Sequence, residues 1–276
     1  MDLGATFDIL FAKNVPHILE KIFLSLDNKS FESCMNVNKT WRELLSTRRY
    51  QNKLEEVLAE KKKNGEKLWY SSRFGSAGEV ESITSNLVVD VNFAFGFDRS
   101  TPLIEAAKSG KDRVVKILLK KGADIEKKSD LGKLTPLGWA AFLGNTNVVN
   151  TLLAGGAEVD KADSMGSTPL FKAAQNGHQD VVKVLLERGA KPNLVDQSGY
   201  TPLHMAAFKK RASVIKPLIK GGADPNKEDK WGRTPLQQAT IWDMPENRGV
   251  VKELLEGGAD PEKNGWCRDN QKWIPN

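Results

Sequence analysis

TPLHMAAFKKRASV, residues 201–214, opens a phrase that this chain uses five times. TPLIEAAKSG starts at Thr101, TPLGWAAFLG at Thr135, TPLFKAAQNG at Thr168 and TPLQQATIWD at Thr234, so the threonines step by 34, 33, 33 and 33 residues. A second phrase keeps the same beat: GADIE from Gly122, GAEVD from Gly156, GAKPN from Gly189, GADPN from Gly222 and GADPE from Gly258. The lag from Thr to Gly is 21 residues in four copies and 24 in the last. Two independent phrases at one period predict a solenoid of stacked supersecondary units.

Each unit can be assembled from its residues. The threonine oxygen caps free amides at a helix start, and proline fits the first turn, where no amide partner is lost. Leucine points inward. The alanine pairs (Ala106 and Ala107, Ala140 and Ala141, Ala173 and Ala174, Ala206 and Ala207) keep this helix thin, so neighbouring units approach closely. Gly110, Gly144 and Gly177 supply a left-handed stop. A second helix follows with a buried stripe such as Val114, Val115, Leu118 and Leu119. The glycine of the second phrase ends it and opens a turn-rich loop.

TPL, AA, G, VV–LL and GAD in this order resemble the ankyrin repeat over roughly residues 100–265. That resemblance implies an all-α array of helix pairs with projecting loops and a concave face. A degenerate copy precedes it: in LWYSSRFGSAGEVESITSNLVVDVN (68–92), Ser71 and Ser72 replace the alanine pair. About six units are expected over 68–265, the first and last atypical as end caps should be. The tail, 266–276, carries Trp273, which with Trp266 is expected to cover the open end of the stack.

A different pattern occupies residues 15–45, VPHILEKIFLSLDNKSFESCMNVNKTWRELL. Its apolar spacing predicts three short helices, too small to bury their own large side chains. The order VP, IL, I, L, D, SF, C, V, TW resembles the F-box, with Val15, His17 and Asn38 departing from the usual pattern. The resemblance implies an F-box module over 1–46. It assigns Val15, Pro16, Ile18, Leu19, Ile22, Leu26, Phe31 and Trp41 to the Skp-type adaptor of cullin-RING ubiquitin ligases. The alternative is a helical cap on the repeats. Residues 47–67 are expected to form a short connecting helix and then a basic, glycine-containing hinge, with the run 61–63 a solvated face.

Composition narrows the function classes. The chain has 276 residues, 39% hydrophobic and 28% charged, which is the soluble globular range. No apolar run reaches the ~20 residues that span a bilayer, and the N-terminus makes a poor signal peptide. Cys34 and Cys267 argue for a reducing compartment, cytoplasmic or nuclear. His178 and His204 are expected to hydrogen-bond backbone between units, not to ligate metal. No nucleophile elbow, phosphate loop or zinc series appears, so neither enzyme chemistry nor a cofactor is expected.

The net charge of +6 is concentrated: residues 200–233 hold eight basic and three acidic side chains, a net of +5. By the family geometry, loop tips and residues flanking the alanine pairs line the concave side. Those positions include Trp139, Phe142, Leu143, Met165, Tyr200, Met205, Phe208, Lys209, Lys230, Trp231, Arg233 and Trp242, with Gln175, Asn176 and Gln238 among them. Aromatics rimmed by cations point to an acidic or phosphorylated protein segment; nucleic acid is the weaker reading. One copy breaks the pattern. Lys210 replaces the stop glycine, and Pro217 stands where Ile117, Thr151 and Val184 stand elsewhere. A late-starting or kinked helix is expected there.

Overall fold

The computed structural model describes residues 48–85, 89–240 and 247–263. The F-box-like stretch, Trp242, Trp266 and Trp273 lie outside the described residues. Among those described, every regular element is helical. In chain order they are α1 (Arg48–Phe74), α2 (Ala77–Thr84), α3 (Pro102–Lys108), α4 (Asp112–Lys120), α5 (Pro136–Leu143) and α6 (Thr146–Ala154). Then come α7 (Pro169–Asn176), α8 (Gln179–Glu187), α9 (Pro202–Phe208), α10 (Ala212–Lys220), α11 (Pro235–Thr240) and α12 (Arg248–Glu256). They make six helix pairs, α1 lending its C-terminal end to the first.

The repeated phrase builds the helix start as its chemistry requires. Thr101, Thr135, Thr168 and Thr201 hold extended backbone, and each Oγ1 accepts the amide of the third residue on, at 3.3, 3.1, 3.2 and 3.2 Å. Proline opens each of these helices. The alanine pairs are fully buried and let the first helices stack α1–α3–α5–α7–α9–α11, while the second helices stack α2–α4–α6–α8–α10–α12. One continuous core runs between the layers, from Leu68 to Ala259.

Side chains tie consecutive units through backbone. Asn92, Glu126, Asp160, Asn193 and Asn226 each accept the amide of a residue one unit on: Asp124, Glu158, Lys191, Asp224 and Asp260. Lys111, Asn145, His178 and Arg211 reach back to carbonyls of Gly75, Ala107, Phe142 and Gln175. The GAD acids are turn residues: Asp124, Asp224 and Asp260 each accept the amide two positions later. The single step of 34 also has a cause. The loop closed by Ser129 N to Leu134 O holds one residue more than the loop closed by Asp163 N to Ser167 O. Successive left-handed residues, Gly132 and Lys133 (φ 70° and 53°), take up the extra length.

Two expectations are corrected. There is no hinge before the repeats: α1 runs unbroken through Lys61, Gly65 and Lys67 into the first unit. Lys and Glu are strong helix formers, and the glycine is there for space. A Cβ on Gly65 would come within 2.4 Å of the Phe93 ring. Lys61 is buried at 8% exposure, not part of a solvated face. Second, α10 starts no later than its sisters: Ala212 follows Thr201 by the same interval that separates Thr101 from Asp112. The break is absorbed within the first turn. The Arg211 carbonyl accepts from Val214 N, three residues on (3.2 Å), where the carbonyls in the same register, Lys111, Asn145 and His178, accept from Val115, Val149 and Val182, four residues on. Lys210 keeps the left-handed stop at φ 58°, in register with Gly110, Gly144 and Gly177.

Candidate protein-binding face

The loops that enter each first helix are built on one carboxylate. In DSMGS, DQSGY and DKWGR, Asp163, Asp196 and Asp229 each accept two amides of their own loop through Oδ1, at 2.8–2.9 Å. This turn pushes the residue that donates the first of those amides to the tip. Met165 and Trp231 occupy that tip and are 54% and 62% exposed. A polar, self-satisfied base thus carries an apolar tip.

Around Trp231 the side chains interlock. Arg233 donates from Nε to Asp229 Oδ2 (3.0 Å) and from a terminal nitrogen to the Tyr200 hydroxyl (2.8 Å). Its guanidinium carbon lies 4.8 Å from the Trp231 ring centre, and the Tyr200 and Trp231 rings are 5.7 Å apart. Gln238 completes the set, donating to Asp229 (2.9 Å) and Tyr200 (3.3 Å). Burial alone would raise the Asp229 pKa. Hydrogen bonds from the Arg233 and Trp231 amides and from the Gln238 and Arg233 side chains outweigh it and hold the carboxyl below its ordinary value. The result is a ledge whose indole is held in place while its outer face stays open.

The sequence-selected residues separate into two groups. Phe208 (44% exposed), Lys209, Lys230 and Trp231 stand out from the surface, with Lys209 Nζ 5.2 Å over the Phe208 ring. Leu143 and Met165 are exposed too, while Met205 and Tyr200 are half-buried. Trp139 and Phe142 serve the scaffold as well. Trp139 donates to Ser129 Oγ (3.1 Å) under the Lys108 ammonium (4.5 Å), and the Phe142 carbonyl accepts from Asn176 and His178. Arg233 spends its charge largely on Asp229. Gln238, expected on this face, is buried at 3% because it braces the ledge. Both histidines bond backbone across units: His178 Nε2 to Phe142 O (2.9 Å) and His204 Nε2 to Arg233 O (3.0 Å).

Phe97 was missed. It is 97% exposed in the loop before α3, and Phe74 and Tyr70, 70% and 50% exposed, stand on α1. The register could have found Phe97, since it falls in the same entry loop as Met165 and Trp231, whereas the degenerate first copy hid Tyr70 and Phe74.

A self-satisfied helical solenoid with apolar tips defines a class of protein: an interaction scaffold. The ankyrin-repeat family model matches three times, over residues 68–163, 103–196 and 190–265, and the chain belongs to the ankyrin-repeat family. An array of this kind is a protein–protein interaction scaffold, so its partners are proteins. A search of curated proteins finds no match. Among the described residues no helix is long and apolar enough to cross a membrane.

Proposed function

We propose that this chain is a substrate-recognition subunit of a Skp–cullin–F-box ubiquitin ligase. The ledge around Trp231 and Tyr200 holds a protein segment. Residues 15–45, through Pro16, Ile18, Leu19, Ile22, Leu26, Phe31 and Trp41 with Val15, dock on the Skp-type adaptor. The observation that carries the binding half is an indole 62% exposed yet held by Arg233 and Tyr200. Exposing so large an apolar group costs solubility, and preorganising it limits the entropy lost on binding. The exposed cations Lys209 and Lys230 favour an acidic or phosphorylated segment. The docking half rests on the F-box resemblance alone. The chain would act by raising the local concentration of substrate at a ligase whose chemistry lies in other subunits.

A second reading keeps the scaffold and drops the ligase. It is favoured by the unbroken α1, which leads straight into the first unit without a hinge. There the N-terminal residues would be a cap on the stack. Pull-down of a purified Skp-type adaptor by the full chain separates the two. Binding that is lost on Pro16→Ser, Ile22→Ser and Leu26→Ser together supports the ligase subunit; no binding by the unaltered chain leaves the stand-alone scaffold.

A further inference from the structure

The two irregularities of the fifth unit fall on either side of one serine, and each acts on it. Residues 209–211 are Lys, Lys and Arg, so Ser213 carries cations at its second, third and fourth positions upstream and Val214 just after it. Lys210 occupies a left-handed position, φ 58°, that three sister units give to glycine. The basic run is therefore present at the expense of backbone strain. Downstream, Pro217 lies inside α10. A helical amide at that position would bond the carbonyl four residues back, that of Ser213. Proline has no amide to give, so that carbonyl lacks its helical bond, and the same turn carries a bond only three residues long, from Val214 N to Arg211 O. The serine itself is exposed, its hydroxyl only 3.5 Å from Gly177 O, the limit of a hydrogen bond.

Charge points the same way. The positive end of a helix favours an acid in its first turn. α4 has Asp112 and α8 has Asp180, paired with Lys116 (2.7 Å) and Lys183 (3.8 Å). α10 has no acid in its first turn, and no acid anywhere in its length. Ser213 occupies the register of Asp180, and Lys216 that of Lys183. The unit has kept the lysine and put a hydroxyl where its sister has the carboxylate. Lys183, Lys216 and Lys220 also line a shallow groove between α8 and α10 on whose edge Ser213 lies.

We infer that Ser213 is a phosphorylation site for a serine kinase that reads basic residues upstream. The serine Oγ bonds to the γ-phosphorus of ATP as the bridging oxygen–phosphorus bond breaks. ADP leaves, and the hydroxyl proton passes to the kinase's base. The upstream cations meet the acidic substrate cleft of such a kinase. The first turn, lacking its bond to Pro217, opens at low free-energy cost to admit the serine. The product places a dianion at the start of α10 beside Lys216, supplying the charge that Asp180 supplies in the unit before.

The test treats the full chain with the purified catalytic domain of a kinase of this type and ATP, with intact mass and fragment mapping as readouts. Phosphate mapped to Ser213 and absent from Ser213→Ala is expected. Lys210→Gly installs the residue of three sister units, so it folds, and it should lower kcat/KM by about tenfold through loss of one recognised charge. The phosphorylated chain should melt at a higher temperature than the untreated one. An unaltered chain that takes no phosphate at Ser213 would overturn the inference. So would equal rates for Lys210→Gly, or a lowered melting temperature after modification. None of these readouts involves a partner protein or a ligase, so failure here is separable from failure of the proposed function.

Discussion

His204 and Gln237 do the same work in successive units. Each accepts the amide of the capping threonine three residues earlier: Thr201 N to His204 Nδ1 (3.2 Å) and Thr234 N to Gln237 Oε1 (2.8 Å). Each then reaches a carbonyl 26 to 29 residues further along the chain, His204 Nε2 to Arg233 O (3.0 Å) and Gln237 Nε2 to Lys263 O (3.2 Å). The histidine must be neutral to accept at Nδ1. Burial pushes its pKa below the ordinary 6.5, against the opposing pull of the Arg233 carbonyl and Asp229; Arg233 and Lys227 add a smaller push downward. A depressed folded pKa means full stability above about pH 6.5 and loss as the pH falls below it, because the unfolded chain takes the proton first. His204→Gln keeps both bonds and cannot titrate. Urea midpoints at pH 7.5 and pH 5 should therefore fall further for the unaltered chain than for His204→Gln; parallel pH profiles would refute this role.

Lys210→Gly should raise stability by about 1 kcal/mol, since glycine removes the Cβ penalty at φ 58° while adding some unfolded-state entropy. The readout is a thermal melt of the two chains. A loss of stability would mean that the contacts of Lys210 outweigh its strain.

Gly65→Ala tests the absence of a hinge. In an ordinary exposed helix this change adds about 1 kcal/mol of stability. Here the new methyl meets the Cγ of Phe93 at 2.4 Å and its Cβ at 2.8 Å, atoms close to the backbone that cannot swing aside. A loss of about 1–3 kcal/mol is expected. A gain would place Phe93 elsewhere.

Arg233 and Trp231 should part company under alanine substitution. Arg233→Ala leaves the fully buried Asp229 carboxylate without its cation, at a cost of about 2 kcal/mol in urea unfolding. Trp231→Ala removes an outward-facing ring and should change stability by less than about 0.5 kcal/mol. If both cost alike, the indole belongs to the scaffold and not to a binding surface.

Much of this architecture can be read along the chain because repetition makes local rules additive. The same threonine cap, proline, alanine pair and glycine recur at one spacing, so each unit confirms the reading of the others, and the buried histidines follow from that register. The degenerate first unit was legible from Ser71 and Ser72 in place of the alanine pair and from Asp90, Val91 and Asn92 at the right distance before Thr101, which place a unit there but do not say where its first helix begins. The candidate face was legible as a list of positions. It could not be ranked, because Trp139 and Trp231 carry the same ring.

Sequence alone therefore determined the unit, its period, its caps and the left-handed demand at residue 210, all set by bonds within a few residues of one another. Tertiary structure decided the rest. It showed that α1 runs through Gly65 because a ring from residue 93 fills the space of a missing methyl. It also showed that Arg233 is spent on a buried aspartate, and that the serine four residues before Pro217 is exposed. These facts depend on contacts between groups four to tens of residues apart, and burial, unlike propensity, is a property no single residue carries.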